Sequence, residues 1–468
     1  MSLKSRMSER AGTRESLYKG LSVPPSPGTR GKPLPGESVG TVASQQRLVL
    51  AIAVLASLVT FLDGAIINVA LPAMVRDLGG GLTLQQWVVD AYLITLGALM
   101  LVAGSLSDAF GRKRILRLGL LGFGATSLLC ALAPTGAVLI LARGLQGATG
   151  ALLVPGSLAL ILSFFSGPEQ AKAIGSWTGW TGGAFIAGPL VGGLLVDSVG
   201  WRWIFAINVL PIALTLMLLA RLEEPPRPAG ARIDVLGAVL ACVGLGGPVY
   251  ALIEQAKVGW MHPSVWISLG VGVPAFIAFL VQERRTAHPM MPLGLFRERN
   301  FWVGNLATTA IYGALSLGMF VITLFLQEVG GFRATTAGLA LMPTTLLMLL
   351  LSSVFGGLAG RLGPRVFMAA GPCLAGVGFL LMLNVGSPLN FWTQMLPGVL
   401  VFGLGLTATV APLTAAVLGS IRSEQAGIGS AINNAISRVA GLIAIALNTA
   451  SVPRLKVSPS VIFWRLMR

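Results

Sequence analysis

The sequence predicts an all-α protein that crosses a membrane many times, and three observations carry that reading. Of 468 residues, 54% are hydrophobic and only 11% charged, with a mean hydropathy of +0.80. Apolar runs of about 20 residues, the length of a bilayer-crossing helix, recur along the chain. Lys and Arg collect in alternate connections between those runs, as the positive-inside rule requires. The 33 basic and 17 acidic residues give a net charge of +16. In a soluble chain that excess would suggest nucleic acid. Here the basic residues sit mostly in loops, where they orient helices and meet anionic lipid headgroups, so no nucleic-acid partner is expected.

Residues 1–47, rich in Ser, Pro, Gly and basic side chains, read as a disordered cytoplasmic tail with no signal peptide. Roughly thirteen spans follow. They start near Leu48, Gln85, Ile115, Gly136, Ile174, Ile204, Asp234, Val265, Phe301, Thr335, Val366, Phe391 and Ala426. The outer loops hold only Arg76, Arg202, Lys257 and Arg333 as basic residues, which places the N-terminus inside. The expected organisation is an N-terminal six-helix bundle over 48–221, a linker over 222–300 with two inserted transmembrane helices, and a C-terminal bundle over 301–450 with five visible spans. Residues 451–468 form an atypical tail. Its prolines, Pro453 and Pro459, and its short apolar run, Val461 to Trp464, make no fourteenth span. An odd span count would leave Arg454, Lys456, Arg465 and Arg468 outside, so the chain is either truncated or altered here, or the tail folds back on the membrane.

The stretch from Gly104 to Arg114 joins two spans by a connection too short to leave the membrane surface. Arg112, Lys113, Arg114 and Arg117 crowd it and mark it as cytoplasmic. Gly104 and Gly111 suit close helix approach or a tight turn, and Asp108 needs a cationic or helix N-terminal partner. The stretch recurs about 250 residues later, where Gly356, Leu358 and Gly363 match Gly104, Leu106 and Gly111. A second echo, Glu169-Gln-Ala and Ile174-Gly-Ser against Glu424-Gln-Ala and Ile428-Gly-Ser, gives nearly the same offset. Duplicated halves follow, with the two linker spans unmatched in the other half.

Charges inside the apolar runs are the candidate functional groups. A carboxylate at the centre of a membrane helix costs about 2.5–3.5 kcal/mol on insertion scales, so Asp63 should face the bundle interior. Arg143 cannot lose its proton, so its role must be electrostatic. Residue counting puts Asp63, Asp90 and Arg143 in the outer third of their spans, and Arg143 is expected to pair with Asp63 or Asp90. Asp90 is either an added cation site or an interfacial acid. Asn68, Tyr92, Gln146, Trp180, Asn305, Tyr312, Thr407 and Asn433 could line a substrate cavity or make helix–helix hydrogen bonds. Arg438 has no partner that the sequence identifies. Cys130, Cys242 and Cys373 lack metal-ligand spacing, and His262 and His288 are isolated, so neither disulfide nor metal is expected. No Walker-type phosphate loop and no catalytic triad occurs, which argues against ATP as energy source and against an enzyme.

Gly104, Leu106, Asp108, Gly111, Arg112 and Lys113 resemble the loop signature of the major facilitator superfamily. Leu62 to Pro72, through Asp63, Asn68, Ala70, Leu71 and Pro72, resembles the first-span signature of its fourteen-span drug:proton antiporters, the EmrB/QacA-like branch. Gly64 and Ala65 depart from that signature. Leu141 to Ala151 is similar to the branch's fourth-span motif, whose arginine is tied to proton coupling. Gly188-Pro189 and Gly192-Gly193 resemble the antiporter motif that marks exporters, and Gly200 to Phe205 with Asn208 match the start of span six. The aromatics there are expected to be interfacial anchors.

The resemblance implies a major facilitator fold with a conformational latch at Gly104, Asp108, Gly111 and Arg112, and proton coupling through Asp63, Arg143 and Asp90. It implies proton-coupled multidrug efflux, by alternating access, of lipophilic, cationic compounds across the cell inner membrane. The proton motive force replaces any cofactor, and the partners are a small-molecule substrate, protons and membrane lipids. Two other readings stay open. One is export of an endogenous metabolite, lipid or antibiotic, and the other is a non-transporting sensor or scaffold.

Overall fold

A computed structural model of the chain describes residues 39–223, 234–286, 289–328, 330, 332, 336, 339–382 and 389–451. The chain divides into two compact units, Met1–Ser44 and Gln45–Arg468, and everything described below except the start of the first helix lies in the second. Most of the N-terminal tail, the C-terminal tail from 452, His288 and Arg333 lie outside the described residues.

Every regular element among the described residues is helical. The first half holds α1 (Val39–Leu78), α2 (Gly81–Phe110), α3 (Arg112–Ala131), α4 (Gly136–Gly150), α5 (Leu153–Phe164), α6 (Gly167–Ser198), the short α7 (Trp203–Ala206) and α8 (Val209–Ala220). The linker supplies α9 (Val235–Val258) and α10 (Pro263–Arg285). The second half holds α11 (Arg299–Glu328), α12 (Met342–Leu362), α13 (Pro364–Met382), α14 (Leu396–Leu418) and α15 (Ala426–Ser451). Among the described residues ten stretches are long and apolar enough to cross a membrane, α4 and α5 together forming one of them. The helices α6, α11 and α15 occupy the three remaining expected positions. The tenth span was expected from Thr335, which lies outside the described residues; Thr336, Leu339 and Ala340 are helical, and α12 follows from Met342 with proline in its first turn. Proline lacks an N–H and suits that position.

The repeat in the sequence is a repeat in the backbone. Gly111 ends α2 and starts α3 at φ 94°, and Gly363 does the same between α12 and α13 at φ 85°. Only glycine adopts that region at little cost, so both tight turns depend on it. These turns lie at one end of the bundle, with Arg112, Lys113, Arg114, Arg361 and Arg365. It is called the basic end below.

Two seams join the halves. The helices α2 and α15 pack together, and α6 packs along α12. Lipid offers no hydrophobic gain for helix association, so membrane helices approach through small residues. A Cβ on Gly104 would lie 2.6 Å from the Ala431 Cβ and 2.6 Å from the Gly427 carbonyl. A Cβ on Gly175 would lie 2.3 Å from the Ser352 carbonyl, and one on Gly356 2.5 Å from that of Ala171. The Ser176 hydroxyl donates to Ser353 across the same seam at 2.9 Å. The two linker helices pack on each other, and α9 lies against α2.

Candidate functional site

The buried centre of the first half is built around one carboxylate. Asp63 on α1 has no solvent exposure, and neither has Arg143 on α4. Their charged atoms meet at 2.5 Å. The second Asp63 oxygen accepts from the Gln146 amide at 3.0 Å and from the Asn208 amide at 3.1 Å. Gln146 also accepts from Arg143 at 2.7 Å, and its amide reaches the Ser127 hydroxyl at 2.9 Å. Arg143 Nε donates to the Val88 carbonyl at 3.0 Å, and its guanidinium carbon lies 4.2 Å from the centre of the Tyr92 ring. The Tyr92 hydroxyl in turn donates to the Thr60 carbonyl at 3.2 Å.

The local sequence explains this convergence. Arg143 and Gln146 are one helical turn apart and share a face of α4. Val88 and Tyr92 are spaced four residues apart on α2 and form one wall. Asn208 closes the site from the junction of α7 and α8. A buried ion pair is sustained only when its remaining donors and acceptors find partners. Here two neutral amides and an aromatic face supply them. One acceptor is left over, since Asn208 Oδ1 has no partner among the described residues.

Of the two acids open to Arg143 in the sequence, Asp63 is the one it contacts. Asp90 pairs instead with Lys257 of α9, whose ammonium also lies 5.6 Å from the centre of the Trp87 ring. Lys257 also pairs with Glu254 at 3.5 Å. Asp90 therefore ties the linker to α2, and it is not part of the Asp63 network. Removing one partner from an incompletely exposed pair leaves a charge without compensation. Lys257→Met is expected to lower thermal stability by about 1–3 kcal/mol, and the double variant Asp90→Asn/Lys257→Met to recover most of that loss. Calorimetric unfolding of the solubilised protein checks this.

The other cavity candidates separate. Gln146 and Tyr92 belong to the buried ion-pair network. Asn68 is exposed, and Trp180 is 58% exposed, so neither joins it. Asn305 is buried and accepts from Asn433 at 3.1 Å, a helix–helix bond between α11 and α15. Tyr312 hydrogen-bonds Thr414, and Thr407 bonds back to the Gly403 carbonyl of its own helix. The glycines of the antiporter-like stretch pack α6 on α1 beside the ion pair. A Cβ on Gly188 would lie 2.6 Å from that of Ala65, and one on Gly192 2.6 Å from Ile66. Gly193 lies within 4.0 Å of Val69 by the same construction, and the side chain of Pro189 lies outside the described residues. Trp201, expected as an interfacial anchor, is 4% exposed and donates to Asp77 at 3.0 Å; Arg202 pairs with the same carboxylate.

At the basic end, Asp108 reaches across the seam. Its two oxygens accept the Gly427 and Ile428 backbone N–H groups, each at 2.9 Å. Those are two of the first-turn N–H groups of α15, where a carboxylate also meets the positive end of the helix dipole. Arg112 lies 3.5 Å from Asp108 and donates to the Ser163 hydroxyl. The first-half turn thus caps a helix of the other half. The second-half turn has no acid, and its seam is held by glycine packing and the Ser176–Ser353 hydrogen bond.

Comparison with known proteins decides the family. The Major Facilitator Superfamily profile matches residues 53–445. The chain belongs to the Major Facilitator Superfamily. It is 37% identical over 413 residues to the puromycin resistance protein pur8 of Streptomyces alboniger, covering 86% of this chain and 81% of that one. It is 34% identical to the multidrug resistance protein Stp of Mycobacterium tuberculosis, over 83% of this chain and 72% of that one. The superfamily fold is shared with the human organic anion transporter MFSD10 at a TM-score of 0.63 and 14% identity, covering 89% of this chain and 96% of that one. In superfamily terms the chain is a multi-pass membrane transporter, with α2–α15 and α6–α12 as the contacts between its two halves.

Two contributors escape a reading of the sequence motifs. Ser127 is a lone hydroxyl in an apolar run. Lys257 stands in what reads as an outer loop and is in fact the last turn of α9. Small polar residues in spans adjacent to an intramembrane acid were the available signal for Ser127.

Proposed function

We propose that this protein is a proton-coupled exporter of the fourteen-span drug:proton antiporter type, moving lipophilic compounds outward across the cell membrane. The observation that carries the reading is the buried Asp63–Arg143 pair at the centre of the first half. A carboxylate held there has a cost that function must offset. The relatives named for puromycin, multidrug and methylenomycin A resistance support export of such compounds.

In the proposed cycle the basic end is cytoplasmic, the N-terminus lies inside, and the seams at Asp108 and Gly356 close that end. A proton entering from outside neutralises Asp63 and releases Arg143 from it. The guanidinium is not left bare, because it keeps the Val88 carbonyl, Gln146 and the Tyr92 ring. That loosening of α1 against α4 is coupled to cargo release and to rocking of the halves. One proton crossing 100 mV supplies about 2.3 kcal/mol, enough for roughly fifty-fold enrichment of a neutral cargo.

An acid open to the cleft would favour cationic cargo. Asp63 and Asp90 are instead paired, so the proposal commits to lipophilicity and not to positive charge. The test is efflux of a lipophilic dye such as Hoechst 33342 in everted vesicles. Accumulation should collapse when the pH gradient is removed. Accumulation that persists without the gradient, or vesicles that never accumulate any compound of a broad lipophilic panel, would contradict the proposal. Changes in susceptibility on deletion separate drug efflux from export of a compound made by the same cell.

A further inference from the structure

One guanidinium inside the bundle plays no part in the cycle above. Arg438 stands midway along α15, a helix whose other buried and half-buried residues are neutral. A charge retained in a membrane-spanning helix points to function by default. Among the described residues Arg438 makes no hydrogen bond and no ion pair, and its one electrostatic neighbour is Tyr92 of the other half. The acids Asp63, Asp90 and Glu254 have other partners: Asp63 pairs with Arg143, and Asp90 and Glu254 with Lys257.

Helical register fixes where Arg438 points. Gly427 and Ala431 form the face of α15 that meets Gly104 of α2. Arg438 lies seven residues beyond Ala431, two turns farther from the basic end and on the same face. At that level α2 no longer presents its small residues to α15, because Gly97, two turns from Gly104, faces Val249 of α9 instead. Arg438 is half-buried there, while Ala431 is fully covered. Beside it on the helix, Asn434 and Ser437 satisfy their donors within α15. The wall near Arg438 is therefore polar and bears an uncompensated positive charge.

We propose that Arg438 is the recognition point for an acidic group on the cargo, a carboxylate or its equivalent on a lipophilic molecule held between the two halves. A guanidinium binds a carboxylate through two parallel hydrogen bonds, a geometry that lysine does not reproduce. The inference rests on the exporter reading and narrows its substrate class to lipophilic acids. The same chemistry would suit a lipid phosphate, so the test includes lipid.

The experiment titrates purified protein, in phosphatidylcholine nanodiscs, with dansyl-leucine and with its methyl ester, following dansyl fluorescence. The two probes share a fluorophore and differ in the carboxylate. The wild type is expected to bind the acid at least tenfold more tightly than the ester. Arg438→Gln should abolish that preference while leaving ester affinity within about twofold, and Arg438→Lys should retain only part of it. Equal affinities in the wild type, or a preference that survives Arg438→Gln, would overturn the proposal. Loss of the wild-type preference when phosphatidylglycerol is added to the discs would also overturn it, by assigning the site to a lipid headgroup. A monodisperse elution profile for each variant excludes misfolding as the cause. Binding needs neither transport nor a proton gradient. Intact carboxylate preference without gradient-driven efflux would therefore sink the exporter reading and leave this one standing.

Discussion

Asp63→Asn is expected to remove the response of efflux to a pH gradient. The substitution keeps the size and one acceptor of the side chain but leaves Arg143 buried without a counter-charge. Breaking a buried pair from one side typically costs about 3–5 kcal/mol, so the single variant should also be less stable. A stability loss alone would not establish coupling. The double variant Asp63→Asn/Arg143→Gln separates the two effects. It removes both charges from a site already furnished with Gln146, Asn208 and Ser127, and should recover at least half of the lost stability. Its efflux should still ignore the gradient. Restored stability together with restored gradient dependence would show that Asp63 serves architecture and not proton transfer.

Gly104→Leu is the second variant with a large expected effect. Its Cβ alone would fall 2.6 Å from Ala431 and from the Gly427 carbonyl, and backbone cannot yield as a flexible side chain can. Overpacking of this kind costs about 1–3 kcal/mol, and it acts only on the conformation in which α2 and α15 touch. At about 1.4 kcal/mol per decade, the closed population should fall roughly five- to hundred-fold. Transport should slow by more than tenfold while the protein still folds, since the clash vanishes when the basic end opens. Spin labels at Arg114 and Arg365, exposed on the two turns, should report a longer distance in the variant. Asp108→Asn should act in the same direction but more weakly. An amide oxygen still accepts one N–H but lacks the charge that complements the start of α15, an effect of about 0.3–1 kcal/mol. An unchanged distance distribution in Gly104→Leu would mean that this seam does not gate the basic end.

Much of this architecture is legible in the chain. Apolar runs of bilayer length locate the helices, and the echo of Gly104–Gly111 in Gly356–Gly363 announces two halves before any packing is known. The backbone geometry of Gly111 and Gly363 shows why that echo persists. Asp63 and Arg143 stand out because charge in an apolar run is rare. What sequence could not decide was which partner each charge takes. Asp63 and Asp90 lie at similar depths, and only the placement of α9 beside α2 delivers Lys257 to Asp90 and leaves Asp63 for Arg143. Cavity candidates fared worse for the same reason. Asn305 and Gln146 are polar residues in spans, and each is consumed by a partner on a neighbouring helix or turn. Asp108 was readable as needing a cation or a helix start; the structure gives it the start of α15, from the other half of the molecule.

The central claim is that Asp63 carries the proton exchanged for cargo, and proton release on binding tests it most directly. Solubilised protein in weak buffer with a pH-indicator dye is mixed with a lipophilic substrate found in the susceptibility panel. Wild-type protein should release protons as substrate binds, and Asp63→Asn should bind substrate and release none. Release of the same size from Asp63→Asn, or none from the wild type at any starting pH, would contradict the account.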